Sequence, residues 1–288
     1  MEEHLPILGT NGYPLQSGAV YGPIHSRRYG NSLGINPLPV SYKFCDFDCV
    51  YCQYGWTPRT PSPILSPFRG RGKGEGEQSI KNDGQKTNEK LKSAEELLHE
   101  IEESFRKFKS EKTPVDVITI AGNGEPTLHP EFLKLVTGLI RLRRQYYSEA
   151  PIGILSDSSQ CHRPEIKEAL EMLDERCMKL DAGDRETIEK INKPIGGFSL
   201  ERTLEALRAL RQVTIQSLFM QGSCDNTRPE QIDHWIEAVG FVQPKAVQVY
   251  TVDRPPADSE IKAVPAERLK EIAELCQSMT GVKTEVFD

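Results

Sequence analysis

The sequence predicts an α/β fold whose parallel sheet curves into a full or partial (β/α) barrel. Two observations carry that expectation. From residue 94 onward, apolar residues at helical spacing alternate with short β-branched runs. The segments between consecutive runs are helix-length and so too long for hairpins, and each β-helix-β crossover favours parallel strands joined right-handedly.

In chain order, the opening MEEHLPILGTNGYPL starts with acids and lacks a basic region followed by a long apolar one. That argues against a secretory signal and for the cytoplasm. Residues 20 to 38 are rich in Gly and Pro, include Arg27 and Arg28, and read as a loop-rich lead-in to the first strand. The cysteine-rich KFCDFDCVYC follows at once. Residues 57 to 93 are dominated by Pro, Gly, Ser and Lys, which cannot bury enough surface to offset ordering entropy, so a flexible low-complexity insertion is expected there. Its surplus of Lys and Arg suits either a solvated linker or contact with a phosphate-bearing partner. Beyond it, AEELLHEIEESFRKF places Leu97, Leu98, Ile101 and Phe105 on one helical face, and PVDVITIAG supplies a strand. The same alternation recurs in PEFLKLVTGLIRLRRQY and IGILS, in RPEIKEALEML and CMKLDA, and in LERTLEALRAL and VTIQSLF. PEQIDHWIEAVGFV with AVQVYTV, and PAERLKEIAELCQSM with VKTEVF, complete the series. In such sheets chemistry sits at the C-terminal strand ends, where the loops after ITIAG, GILS, KLDA, QSLF and QVYTV converge. All 288 residues are read as one domain.

Composition narrows the function classes. No apolar run approaches the roughly 20 residues of a membrane span, so no membrane partner is expected. A net charge of −6 offers no global attraction to nucleic acid, which leaves only a local basic patch for such a role. Seven cysteines are an odd number for a disulfide framework, and Cys45, Cys49 and Cys52 crowd together while Cys161, Cys177, Cys224 and Cys276 are scattered. The crowding points to metal.

Three thiolates spaced Cys-x3-Cys-x2-Cys suit an iron-sulfur centre, because thiolate is the preferred protein ligand of such clusters. A cubane held by three cysteines keeps one iron open, where the amino and carboxylate groups of a methionine-derived cofactor can chelate. Zinc is the alternative; it wants four ligands in paired spacings, and only Cys161 with His162 offers a second pair.

Other residues carry weaker signals. Gly122, Asn123, Gly124, Glu125 and Pro126 follow the strand VITIA, where glycines permit close backbone approach and a carboxylate can accept from an ammonium group. An ordinary strand-to-helix turn fits equally well. Ser156 and Asp157 end the strand GILS, at the mouth of the barrel. Asp157 offers no donor unless protonated, which favours ribose over a cofactor carboxylate as its partner, and a helix cap is the alternative. Lys179 and Asp181 lie two apart on a strand and share a face, as a ligand-serving pair or as a solvated ion pair. Gln216, Gln248 and Tyr250 are pocket candidates by the same logic. Arg27 and Arg28 suit a substrate phosphate or carboxylate, or surface salt bridges; His25 and His129 read as loop or capping residues. No catalytic residue is assigned.

The segments YGPIHSRRYGNSLGINPLPVSYKFCDFDCVYCQYG, AGNGEPTLHPEF, MKLDAGDRETIEKINKP and QVYTVDRPPA together resemble the radical SAM superfamily. The similarity is to the group that includes the archaeal wyosine-type tRNA-modifying enzymes and uncharacterised Fe-S oxidoreductases. It covers nearly the whole chain except residues 57 to 93, and Tyr51 is the aromatic residue of the family's Cys-x3-Cys-x-aromatic-Cys motif. The resemblance implies a barrel of radical SAM type, a [4Fe-4S] cluster on the three cysteines, and S-adenosylmethionine (SAM) at the open iron. It implies reductive cleavage of SAM to methionine and a 5′-deoxyadenosyl radical, which abstracts hydrogen from a substrate. It also implies that the GEP-containing segment contacts the SAM amino group. Asn123 departs from the simple Gly-Gly-Glu-Pro pattern, and Asp157 stands where Asn is more usual. Oxidoreductase or transferase chemistry on a small molecule, a protein or a tRNA is compatible, with an electron donor such as a flavodoxin or ferredoxin. A non-catalytic iron-sulfur carrier and a zinc-stabilised binding module are the readings from other classes.

Overall fold

A computed structural model describes residues 6–26, 30–58 and 89–287. Arg27, Arg28 and most of the insertion expected at 57–93 lie outside the described residues.

The strands in chain order are β1 (Val20–Ser26), β2 (Gly30–Ile35), β3 (Val117–Ile120), β4 (Ile152–Ser156) and β5 (Glu175–Lys179). Then come β6 (Val213–Phe219), β7 (Gln221–Gly222), β8 (Ala246–Thr251), β9 (Ile261–Lys262) and β10 (Thr284–Phe287). Among the described residues eight of them form one sheet in the order β1-β2-β3-β4-β5-β6-β8-β10, and the small β7-β9 ladder stands apart. Every neighbouring pair from β2 onward is parallel, as helix-length crossovers require. β1 and β10 are edges rather than neighbours, so the barrel is partial.

The helices are α1 (Ala94–Ser110), α2 (Phe132–Tyr146), α3 (Pro164–Glu171), α4 (Arg185–Ile191), α5 (Leu200–Arg208), α6 (Pro229–Val242) and α7 (Ala266–Thr280). α1 shows why they form where they do. Ser93 and Glu96 make a reciprocal capping box, and Leu97, Ile101 and Phe105 are buried along one stripe. The helices cover the outer face of the sheet, which contributes Leu33, Ile35, Ile118, Ile120, Ile152 and Ile154 to the core. Trp235 of α6 is fully buried edge-to-face on Phe219, with its indole N–H donating to the Ser217 hydroxyl at 2.9 Å. Burying a side chain of this kind is worth about 1.5–3 kcal/mol, and here it also fixes the register of β6 under the site.

The sequence-based expectations need two corrections. The lead-in at 20–38 holds an antiparallel pair, β1 and β2, rather than loop alone. Gly22 and Pro23 read as loop, yet a register irregularity between Tyr21 and Ile24 absorbs them, and β1 is an edge strand on which a missing proline N–H is tolerated. In addition, β5 and β6 are joined by two helices; α4 lies inside MKLDAGDRETIEKINKP and is capped by Asp184, which accepts from Thr187 N at 2.8 Å. No helix among the described residues is long and apolar enough to cross a membrane.

Candidate active site

The loop bearing Cys45, Cys49 and Cys52 follows β2 and is sewn down on two sides. On one side Phe44 N donates to Asn123 O at 2.7 Å and Glu125 N donates to Phe44 O at 3.0 Å, which docks the loop on the end of β3. Gly124 makes that approach possible, because a Cβ there would stand 1.8 Å from Phe44 O and its φ is +144°. On the other side Asp48 N donates to Asn192 O and Val50 N to Ile191 O, both at 2.9 Å, tying the loop to the C-terminus of α4.

All three cysteines line one cavity of about 530 Å³ at the C-terminal ends of the strands. None of the other four cysteines lines it, and all seven are free thiols. Burial pushes the Cys49 thiol up to about 12, against the pull of the Lys43 ammonium and a hydrogen bond from Asn192. Burial and the neighbouring Asp157 likewise raise the Cys45 thiol well above the usual range. Thiols held protonated in this way are inert until a metal displaces the protons. Lys43 is buried beside them, donating to Gly55 O at 3.1 Å and lying 3.7 Å from Asp48. Burial alone would lower the Lys43 pKa, but the sulfurs of Cys52, Cys45 and Cys49, and Asp48, hold it above its ordinary value.

The donor set fits a multi-iron cluster better than a single ion. The donor atoms that fall within 4.8 Å of one another belong to Cys45, Asp46 and Asp157, not to the cysteine triad. A lone zinc, with sulfur ligands at about 2.3 Å, would draw three thiolates closer than that. Soft thiolates, a buried counter-cation and a shared open face suit an iron-sulfur core.

Next to the cysteines lies a group of three carboxylates, Glu125 and Asp46 buried and Asp157 half-buried at the cavity wall. Glu125 accepts from Thr127 N (2.9 Å) and Ser156 Oγ (2.9 Å) on one oxygen and from Asp157 N (2.6 Å) on the other. Asp157 accepts from Ser159 N at 2.9 Å, and Asp46 accepts from Gln160 Nε2 at 2.8 Å while its other oxygen has no partner. Burial raises all three above the ordinary carboxylate range; the Asp46 and Glu125 charges add to the effect at Asp157. Such a group attracts an ammonium.

The far wall is built on Lys179. Its ammonium donates to Tyr250 OH at 2.7 Å and pairs with Asp181 at 2.9 Å, between the rings of Tyr51 and Tyr250 at 4.7 and 4.9 Å. Asp181 also accepts from Tyr51 OH, from Leu218 N at 2.8 Å and from Asn192 Nδ2 at 2.8 Å. Tyr51, beside the last cysteine in sequence, thus joins the cysteine loop to the end of β5.

Of the residues singled out from sequence, Tyr51, Gly122, Gly124, Glu125, Ser156, Asp157, Lys179, Gln216 and Tyr250 line the cavity together with the cysteines. Asn123, Pro126 and Asp181 are buried behind its wall. Asn123 is a clasp, donating to Gln16 O (3.0 Å) and Pro39 O (2.9 Å) and accepting from Gln16 N (2.8 Å). Pro126 begins a short 3₁₀ turn, Pro126–Leu128. Gln248 accepts from Gln216 at 2.8 Å beneath the cavity. His129 clasps Lys92 O at 2.9 Å, consistent with a loop role, and His25 lies on β1 outside the cavity. Sequence reasoning missed Lys43, Asp46 and Asn192, and also the lining residues Leu155, Arg254 and Phe287. Lys43, two residues before the cysteine cluster, and Asp46, inside it, had local signals; the others reach the site only through the fold.

The comparisons show the family and the fold. A UPF0026 protein of Methanocaldococcus jannaschii is 30% identical over 265 residues, covering 91% of this chain and 72% of the relative. A protein named GTPase Obg from Brachyspira hyodysenteriae is 25% identical over 275 residues; the match takes in 94% of this chain but only 35% of that longer relative. Among solved structures, a radical SAM methyltransferase from Sphaerobacter thermophilus superimposes with a TM-score of 0.60 at 12% identity, covering 97% of this chain and 71% of that one. TYW1 with a lysine-pyruvate adduct bound gives a TM-score of 0.53 at 13% identity, covering 87% and 75%. These two show the shared fold. The Radical SAM superfamily model matches residues 40–231, from the cysteine loop through the end of β6 and into α6. The chain belongs to the radical SAM superfamily, whose cofactors are a [4Fe-4S] cluster and SAM.

Proposed function

We propose that Cys45, Cys49 and Cys52 hold the cluster, that SAM occupies the cavity beside it, and that the chain abstracts a hydrogen atom from a substrate bound against the Lys179 wall. The observation that carries this reading is the convergence of three cysteine sulfurs, a carboxylate group and a polar wall on one cavity. When bound, the reduced cluster and SAM supply the reductive carbon-sulfur cleavage that yields methionine and a 5′-deoxyadenosyl radical.

The chain's own residues bind, orient and exclude water. Glu125, steadied by Thr127, Ser156 and the Asp157 backbone, offers its charge to the SAM ammonium. Gly122 and Gly124 keep the strand end clear of side chains, since a Cβ on Gly122 would stand 2.0 Å from Asn36 Oδ1. Lys43 balances the negative charge of the thiolates. Lys179 and Gln216 present donors to the substrate, while Leu155, Leu218 and Phe287 form an apolar boundary. An electron carrier would use a fourth protein ligand, and among the described residues no fourth cysteine lines the cavity. The electron comes from a low-potential donor such as a flavodoxin or ferredoxin.

The test is a cleavage assay on anaerobically reconstituted protein with dithionite and SAM. Wild type is expected to release 5′-deoxyadenosine and Cys49→Ala to release none; wild-type rates in Cys49→Ala would overturn the ligand assignment.

A further inference from the structure

We infer that Asn192 is a positioning residue for the cluster: its side-chain amide donates to the Cys49 sulfur and thereby holds the cluster at a higher reduction potential than Cys49 alone would give. The inference rests on the proposed cluster reading. Asn192 caps α4 and is 2% exposed. Its Nδ2 lies 3.4 Å from Cys49 Sγ, 3.0 Å from Tyr51 OH and 2.8 Å from Asp181 Oδ2. All three neighbours can accept, the two N–H hydrogens being shared among them, and a flipped amide would turn its carbonyl oxygen onto a carboxylate, so the orientation is fixed by their chemistry.

That orientation leaves a trace. Asn192 Oδ1 is buried with no hydrogen-bond partner. A buried acceptor left unpaired is unfavourable, and it is retained here because the opposite end of the amide is required. A thiolate carrying cluster charge is the neighbour that gains most from an N–H dipole. Reduction takes one electron from the donor and adds one negative charge to the cluster, so a donor aimed at a ligand sulfur favours the reduced form. The same amide bonds Asp181 and Tyr51, which hold Lys179 in the cavity wall, so one side chain sets the cysteine loop against the substrate side of the site.

The experiment measures the midpoint potential of the reconstituted full-length protein by EPR-monitored potentiometry without SAM. Asn192→Leu, of similar size but without a donor, is expected to retain its iron and to shift the midpoint to more negative potential. Wild type carrying isotopically labelled asparagine is expected to show a nitrogen coupling to the reduced cluster by pulsed EPR, and this arm does not depend on the variant folding. An unshifted potential in an iron-replete Asn192→Leu protein, or no asparagine coupling in wild type, overturns the inference while leaving the cluster in place. A wild type that forms no cluster overturns the underlying reading as well.

Discussion

Replacing Gly124 by alanine asks whether the cysteine loop is held by the close approach of two backbones. The new Cβ would stand 1.8 Å from Phe44 O and 2.4 Å from Phe44 C. Both are backbone atoms, so no rotamer change relieves the contact. Phe44 is itself held by its bonds to Asn123 O and from Glu125 N, and moving it away breaks both. Two backbone hydrogen bonds at about 1 kcal/mol each, plus about 1–3 kcal/mol of strain at a φ of +144°, give a loss of roughly 3–5 kcal/mol. With a urea slope of about 3 kcal/mol per molar, the unfolding midpoint falls by about 1–2 M. Gly12 is the internal control, since its φ is +82° and a Cβ there meets nothing within 4 Å. Gly12→Ala is expected to lose only about 1–2 kcal/mol, the cost of the left-handed backbone. Equal losses in the two variants would show that contact with Phe44 is not what Gly124 serves. Iron retained per chain, measured on the same samples, reports whether the loop has shifted.

Two further outcomes follow from the buried charges. Burial raises the folded-state values of Asp46, Glu125 and Asp157, so the metal-free fold holds protons that the unfolded chain has already released. The stability these groups contribute is fullest below the ordinary carboxylate range and is lost as pH rises through the raised values. Asp157→Asn keeps an oxygen to accept from Ser159 N but removes one charge, and is expected to raise the urea midpoint of metal-free protein near pH 8 and flatten its decline from about pH 5. An unchanged profile would refute the charge repulsion. Lys179→Met leaves Asp181, whose side chain is fully buried, with Tyr51, Leu218 N and Asn192 as donors but no cation. Removing one partner of a buried pair costs about 3–5 kcal/mol, and the remaining donors reduce this to roughly 2–4 kcal/mol. A urea midpoint within error of wild type would show that Asp181 does not need the ammonium.

Local pattern made much of the fold legible. Leu97, Ile101 and Phe105 mark α1 because helical spacing alone decides which face is buried, and four-residue VITI marks β3 because all four residues are β-branched, the type that fits a pleated, buried strand. The β1-β2 pair was hidden because Gly22-Pro23 carries a turn signal whose effect depends on lying at a sheet edge, which no window of sequence contains. The cysteines stood out because their spacing is itself the signal. Asn192 did not, because an asparagine at a helix C-terminus is ordinary, and only the docking of residues 46–50 on α4 brings it to Cys49. Asn123 shows the converse: its place among the glycines suggested cofactor contact, yet its amide is consumed in holding residues 16 and 39. Sequence proximity to a motif and access to a cavity are separate properties.

The most direct measurement is the EPR spectrum of the anaerobically reconstituted, reduced protein before and after addition of SAM. The signal of a reduced [4Fe-4S] cluster that changes when SAM is added is the expected result, because three cysteines leave one iron free to bind it. A cluster signal indifferent to SAM, or zinc bound in place of iron, would contradict the proposed site.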